Sequence, residues 1–208
     1  SRSYGTMCKI IRKIRDNKPK KPKRLYKSTK KVKQATYPGE KVQIDMKYVP
    51  RECICFGTND QNYYQITAID EYTRKRVLRI VDEKSTYQTT KFLETLEAEL
   101  GFKIEKIQSD NGREFTNAEN GKKTLFELKL EELGIEYMTK RPYSPWQNGV
   151  VERSHKIDNE LFYSKRRFGS ETEMYKSFKR YSVRTNNIAR RVPGFNTPNE
   201  MVENYFNK

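Results

Sequence analysis

The stretch Ile104-Glu105-Lys106-Ile107-Gln108-Ser109-Asp110-Asn111-Gly112-Arg113-Glu114-Phe115 decides the reading of this chain. Ile104–Ser109 has the length of a short strand and delivers Asp110 to its end. Asn111-Gly112 then allows a sharp exit, so that the carboxylate is presented rather than carried on along the strand. Two further acids stand in comparable settings. Asp45 ends the alternating Lys41-Val42-Gln43-Ile44-Asp45, and Glu152 follows Pro142-Tyr143-Ser144-Pro145-Trp146-Gln147-Asn148-Gly149 and opens a helical pattern. Two acids at strand ends and one on a helix can converge on a pair of divalent cations. Hard cations take oxygen ligands and keep positions for phosphate and water. Two such ions clamp the attacking and leaving oxygens of an in-line phosphodiester displacement.

Working outward, Val42–Pro50, Tyr63–Asp70 and Arg76–Val81 read as three strands of an antiparallel meander. Ser85 caps a helix running to Leu100, with Phe92, Leu93, Leu96 and Leu100 on one face and Gly101 stopping it. After strand Ile104–Ser109 come a helix over Thr124–Leu133 closed by Gly134, a strand over Ile135–Met138, and helices over Gln147–Phe168 and Glu171–Asn187. A short helix follows Thr197-Pro198. The order βββ-α-β-α-β-α predicts an α/β fold: a mixed five-stranded sheet with helices on both faces. Upstream, Met7, Ile10, Ile11 and Ile14 recur at helical spacing within residues 3–15, so residues 1–16 read as the end of an upstream DNA-binding helix. Residues 17–36 read as a basic, proline-containing linker and 37–208 as the core.

The chain has 208 residues, enough for one α/β domain with appendages, and a net charge of +16. Residues 1–34 hold fourteen Lys/Arg against the single acid Asp16, leaving only +3 on everything that follows. The arm, with Lys20, Lys21, Lys23 and Arg24 at its centre, therefore reads as the polyanion-seeking part, gripping DNA by counterion release; the competing reading is a solvated linker with no specific partner. No run approaches the ~20 apolar residues that span a bilayer. Cys8, Cys53 and Cys55 do not form a disulfide framework, and one histidine, His155, with a one-residue Cys spacing does not fit a zinc site. Reduced thiols point to the cytosol. The opening Ser1 leads us to expect a fragment or processed form.

Taken together, Pro38-Gly39-Glu40-Lys41-Val42-Gln43-Ile44-Asp45, Ser109-Asp110-Asn111-Gly112-Arg113-Glu114-Phe115 and Pro142–Arg153 resemble the catalytic core of retroviral-integrase-like DDE transposases of bacterial insertion sequences. The tail Asn196-Thr197-Pro198-Asn199-Glu200-Met201 is similar to the end of that core. The resemblance covers about residues 37–208. It implies an RNase H-like fold, two Mg²⁺ or Mn²⁺ ions, cleavage at transposon ends and transfer of the 3′ end into target DNA. It also implies double-stranded DNA as partner, a homo-oligomer on that DNA, room for a target-selecting partner protein, and a bacterial cytoplasmic, nucleoid-associated location. It makes Asp45, Asp110 and Glu152 both the catalytic and the metal-binding residues. The departures are 41 residues between Asp110 and Glu152, with the excess in the polar Asn117–Lys123 loop, and Asn159 where many relatives carry Lys or Arg. Lys156, one turn after Glu152, is the nearest substitute.

Other residues follow with two readings each. Arg153 and Lys156 touch DNA phosphates or form a solvated helix face; Lys165, Arg166 and Arg167 extend the basic surface for target DNA. Tyr143, Trp146, Asn148 and Gly149 form a flexible loop that closes over DNA, or simply start the helix, with Trp146 stacking on a base or packing the loop. His155 is read as structural rather than as a general base. Asp70 is a rival fourth acid, but its place at a turn favours a local hydrogen-bonding role. Two alternatives stay open: an RNase H-like nuclease that only hydrolyses, and a DNA-binding regulator with a catalytically silent core.

Overall fold

A computed structural model describes residues 3–16, 34–57, 61–117, 121–140, 148–191 and 194–207, the side chains of 13–16 excepted. The chain divides into two units, Ser1–Lys33 and Gln34–Lys208. In the first, helix α1 spans Tyr4–Asp16, as its periodicity predicts, and Met7 and Ile11 stay about half exposed. The linker expected at 17–36 falls almost wholly outside the described residues.

The second unit is built on β1 (Val42–Tyr48), β2 (Tyr64–Asp70), β3 (Arg76–Val81), α2 (Thr86–Leu100), β4 (Lys106–Ser109), α3 (Leu125–Glu132), β5 (Glu136–Thr139), α4 (Gly149–Leu161), α5 (Glu171–Thr185) and α6 (Pro198–Phe206). The sheet order is β3-β2-β1-β4-β5. β1 and β2, and β2 and β3, pair antiparallel; β4 joins β1, and β5 joins β4, in parallel. This is the expected mixed five-stranded sheet, with β1 at its centre.

Alternation along β1 sorts the molecule into two layers. Val42, Ile44 and Met46 enter a core with Phe92, Leu93 and Leu96 of α2 and Phe126 and Leu130 of α3. Gln43, Asp45 and Lys47 therefore point to the opposite face, where α4 lies. There a second core gathers Leu78 and Ile80 of β3 with Phe162, Tyr163, Met174 and Phe178. The caps follow the sequence. Ser85 Oγ accepts from the Gln88 amide, Gly101 ends α2 at φ 82°, and Thr124 and Glu127 form a reciprocal capping box. Asp70 is fully buried in a local role: it accepts from the Gly39 amide (3.0 Å) and from the Thr73 amide and hydroxyl (2.7 Å each).

Gly39 is a position only glycine fits. It sits at φ +83°, and a Cβ there would lie 1.9 Å from the Lys103 carbonyl oxygen. Its carbonyl accepts from Glu105 (2.8 Å), so the approach to β1 is locked onto the approach to β4.

The long helix expected over Gln147–Phe168 is shorter. α4 stops at Leu161, and Tyr163–Lys165 form a separate 3-10 turn. The physical reason lies in packing. Phe162 and Tyr163 are both fully buried in the second core, and Phe162 stacks on Tyr181 of α5 at 4.5 Å between ring centres. A continuous helix would turn these neighbours about 100° apart and send one to solvent. No helix of the described residues is long and apolar enough to cross a membrane.

Candidate active site

Asp45 is not at a strand end, as its sequence setting suggests, but fourth of seven residues in β1. The reason is the pairing of β1 with β2, which runs on to Tyr48, whereas its ladder with β4 ends at Gln43↔Gln108. Continuing that parallel offset brings Asp45 opposite Asp110, just where β4 gives way to its exit turn. Asp45 emerges from the sheet at the point where its neighbour strand has ended.

Asp110 is shaped by that exit. Its Oδ1 accepts from the Gly112 amide (3.0 Å), closing a tight turn. Gly112 does not take a left-handed conformation; its role is room, since a Cβ would lie 2.6 Å from the Glu114 carboxylate. Glu114, only 4% exposed and bonded to Lys84 at 3.1 Å, is a fourth acid near the site. It stands inside the Asp-Asn-Gly-Arg-Glu-Phe motif, so its signal was in the sequence, but its burial was not.

α4 brings the third acid. The helix lies along β1: the Val151 amide donates to Gln43 Oε1 (3.0 Å), His155 Nδ1 stands 3.5 Å from Asp45 Oδ2, and Lys47 Nζ donates to the His155 carbonyl (3.2 Å) and Asn159 Oδ1 (2.8 Å). Glu152, in the first turn, has its side chain half exposed and 3.5 Å from Lys140 Nζ. Deeper in, Asp158 anchors the helix. Fully buried, it accepts from Arg76 Nη1 of β3 (2.9 Å), Gln65 Nε2 of β2 (2.8 Å) and the Tyr181 hydroxyl of α5 (2.6 Å). This network, invisible to local pattern reading, holds Glu152's helix on the sheet.

The electrostatics are those of crowded negative charge. Burial first, then Asp110, and further Glu152 and Glu114, push the Asp45 carboxyl up to about 7, against the Met46 amide that lowers it. Burial and the Lys47 charge hold His155 down to about 4, which favours the neutral imidazole beside Asp45. Lys47 is itself lowered to about 8 by burial. Its contact with Asn159 brings a cation from β1 to the helix position where a Lys or Arg was expected.

Among the described residues no group of three His, Cys, Asp or Glu is drawn together closely enough to hold a metal ion. The donor chemistry nonetheless fits a hard divalent cation. Asp110 and Glu152 lie close enough to Asp45 for their charges to raise its carboxyl, and Glu152 is otherwise engaged only in a surface pairing with Lys140 that is worth little.

The remaining sequence candidates scatter. Lys156 is solvent-facing, 3.9 Å from Glu160. Arg153 lies on another face of α4, in a cleft with Arg74, Arg190 and Arg191. Lys165 and Arg166 line a separate cleft of about 560 Å³ with Arg180 and Arg184 of α5, and Arg166 sits over the Phe162 ring at 4.7 Å. Arg167 is exposed. Asn148, expected in a flexible loop, is 1% exposed as the residue preceding α4, and Gly149 is the first residue of that helix. Burial of Asn148 under the start of α4 therefore withdraws both from the loop. Tyr143, Trp146, Lys20, Lys21, Lys23 and Arg24 lie outside the described residues.

Comparison with known proteins accords with this geometry. Residues 35–145 match the family described as Integrase core domain (rve). The chain belongs to the integrase core domain family. Over 97 residues, 46% of the chain, it is 35% identical to the retrovirus-related Pol polyprotein from transposon TNT 1-94 of Nicotiana tabacum; over 101 residues, 48% of the chain, it is 31% identical to that from transposon RE1 of Arabidopsis thaliana. It spans only 7% and 6% of those polyproteins. Among solved structures, it superposes on a chain of the simian T-cell lymphotropic virus intasome in complex with PP2A regulatory subunit B56 gamma, with TM-score 0.62 and 18% identity, over 83% of this chain and 57% of that one. The HTLV-2 integrase catalytic core domain in complex with magnesium, in its dimeric form, gives TM-score 0.58 and 16% identity, over 79% of this chain and 97% of that one. The fold of this integrase core is thus RNase H-like.

Proposed function

We propose that this integrase core is the catalytic unit of a DNA-joining enzyme, which cleaves a strand at the end of a mobile element and transfers the freed 3′ end into target DNA. The observation that supports the reading is the Asp45 carboxyl on the central strand, raised by the nearby charges of Asp110 and Glu152, with Glu152 on a helix docked along β1. Asp45 on the central strand, Asp110 and Glu152 would hold two Mg²⁺ or Mn²⁺ ions through their carboxylate oxygens. The ions, when bound, supply charge stabilisation at the attacking and leaving oxygens. Asp45, Asp110 and Glu152 fix where the scissile phosphate sits. His155 orients Asp45 from the helix side, and Lys47 ties α4 to β1 beside it. The Lys140 contact with Glu152 is weak enough to leave that carboxylate available to a cation. One phosphorus–oxygen bond forms as another breaks, with water and then a DNA 3′-hydroxyl as nucleophile, so no side chain needs to form a covalent link to DNA.

Because an element has two ends, the working form is at least a dimer on DNA. The two plant relatives are both retrotransposon polyproteins, which favours a retroelement as the source of this core. The bacterial insertion-sequence reading rests on the Asp-Asn-Gly-x-Glu-Phe and Ser-Pro-x-x-Asn-Gly-x-x-Glu-Arg segments alone. In either case the element's end is joined to the host's DNA, at the nucleoid for a bacterial host. The test is Asp45→Asn in the full-length protein: end cleavage and strand transfer are lost while DNA binding is kept. Wild-type-like turnover in that variant would sink the proposal.

A further inference from the structure

Beside the start of α4, a cleft of about 410 Å³ is lined by Ile69, Arg74, Gly149, Arg153, Arg190 and Arg191. Its four arginines come from three separate parts of the chain: the β2–β3 turn, α4, and the segment after α5. Among the described residues no carboxylate stands within ion-pair distance of any of them. The two acids that act on Arg74, Glu71 and Asp70, are engaged elsewhere, Glu71 with Lys41 at 2.8 Å and Asp70 with Gly39 and Thr73.

The cleft is built rather than a chance gathering of surface charge. Arg190 Nη2 donates to the Thr185 carbonyl (3.1 Å) and hydroxyl (2.9 Å), fixing that guanidinium in place. Arg190 Nε and Arg74 Nη1 are buried donors with no acceptor among the described residues. Arg74 sits at φ 63°, a conformation that glycine or asparagine adopts at less cost. The start of α4 adds its own charge: Asn148 makes no side-chain capping hydrogen bond, Gln43 takes only the Val151 amide, and Gly149 and Val150 at the positive end of the 13-residue helix line the cleft. Burial lowers the pKa of Arg190 and Arg74, and for Arg190 the charges of Arg76 and Arg74 add to the effect. An anion in the cleft relieves the unpaired donors and the mutual repulsion of the guanidinium charges.

We propose that this cleft is a phosphate-binding site: it takes a tetrahedral phosphate oxyanion, carried by a DNA strand or free in solution, between the guanidinium groups of Arg74, Arg153, Arg190 and Arg191 and the first turn of α4. Planar guanidinium forks and helix N-termini are the two protein devices best matched to phosphate oxygens. The cleft is distinct from the acids. Arg153 lies about 100° around α4 from Glu152 and about 160° from His155. A strand bound here crosses the start of α4 and so registers the DNA against Glu152. The DNA source rests on the function proposed above; phosphate binding itself does not.

The test uses Arg153→Gln and Arg191→Gln, both exposed, together with Arg74→Gln, and Lys179→Gln on an exposed face of α5 as control. Full-length protein is titrated against a short labelled duplex by anisotropy at several salt concentrations without divalent metal, and its melting temperature is measured with inorganic phosphate and pyrophosphate. Each cleft variant is expected to bind the duplex ~10-fold more weakly, the scale of one lost charge-assisted hydrogen bond. Each should also flatten the slope of log K against log salt by about one. Thermal protection by pyrophosphate is expected to disappear. Changes on the duplex assign the site to a strand; loss of anion protection with unchanged duplex binding assigns it to a free phosphate. Cleft variants that match Lys179→Gln with both probes overturn the site. Should Arg74→Gln fail to fold, the two exposed variants decide. Failure of the joining reading looks different: normal results here in a protein that joins no DNA.

Discussion

Replacing Asp158 by Asn tests how α4, and with it Glu152, is held on the sheet. Three donors converge on the Asp158 carboxylate: Arg76 at 2.9 Å and Tyr181 at 2.6 Å on one oxygen, Gln65 at 2.8 Å on the other. Both side chains of the Arg76–Asp158 pair are 0% exposed, so solvent cannot screen the loss. An amide keeps one acceptor, turns the second into a donor facing Gln65 or Arg76, and leaves the guanidinium charge without a counter-ion. Breaking a buried pair in this way costs about 3–5 kcal/mol. For a unit of this size that lowers the melting temperature by roughly 10 °C. The assay is urea and thermal unfolding followed by circular dichroism. The double variant Arg76→Met/Asp158→Leu should recover much of the loss, because it removes both buried charges together. The pH dependence follows with its sign. Burial raises the Asp158 carboxyl, but Arg76, Tyr181 and Gln65 more than offset it, leaving the folded value below the ordinary one. The stabilisation is therefore complete above the unfolded value near ~4 and is lost as pH falls through the lower folded value. Asp158→Asn should flatten that acid limb. A loss below about 1 kcal/mol in Asp158→Asn, with the acid limb unchanged, would refute the anchoring role.

Two further predictions concern the sheet and the acids. Gly39→Ala places a methyl group 1.9 Å from the Lys103 carbonyl oxygen at φ +83° and should cost about 3 kcal/mol in urea unfolding; Gly121→Ala, at φ +65° with open space around it, should cost only about 1 kcal/mol. Mg²⁺ should raise the melting temperature of metal-free protein by binding the folded state alone, by about 2.7 kcal/mol at a hundredfold excess over its Kd, and the effect should vanish in Asp45→Asn and on adding EDTA.

How far the sequence carried this account depended on whether the deciding physics was local. Ser85, Gly101 and the Thr124–Glu127 box act within a turn of themselves, and the helix ends they mark stand where the residues put them. The three acids drew notice because each sits inside a short motif. Asp45's place in mid-strand was not, since it depends on how far β1 pairs with β2 rather than with β4. Nor was the stop of α4 at Leu161: Phe162 and Tyr163 continue an apolar pattern, and only α5, packed against them, requires both to be buried. The contacts of Lys47 with Asn159 and of Arg76 with Asp158 join positions 112 and 82 apart in the chain, and the four-arginine cleft gathers residues from three distant segments. Nothing in a local pattern announces such meetings.

The most direct test of the central claim is strand transfer by the full-length protein on a labelled, pre-cleaved element end, with Mg²⁺ or Mn²⁺ and with EDTA, run beside Glu152→Gln. Joined product that needs metal and disappears in Glu152→Gln is the predicted result. Hydrolysis without joining, or joining that survives in the variant, would contradict it.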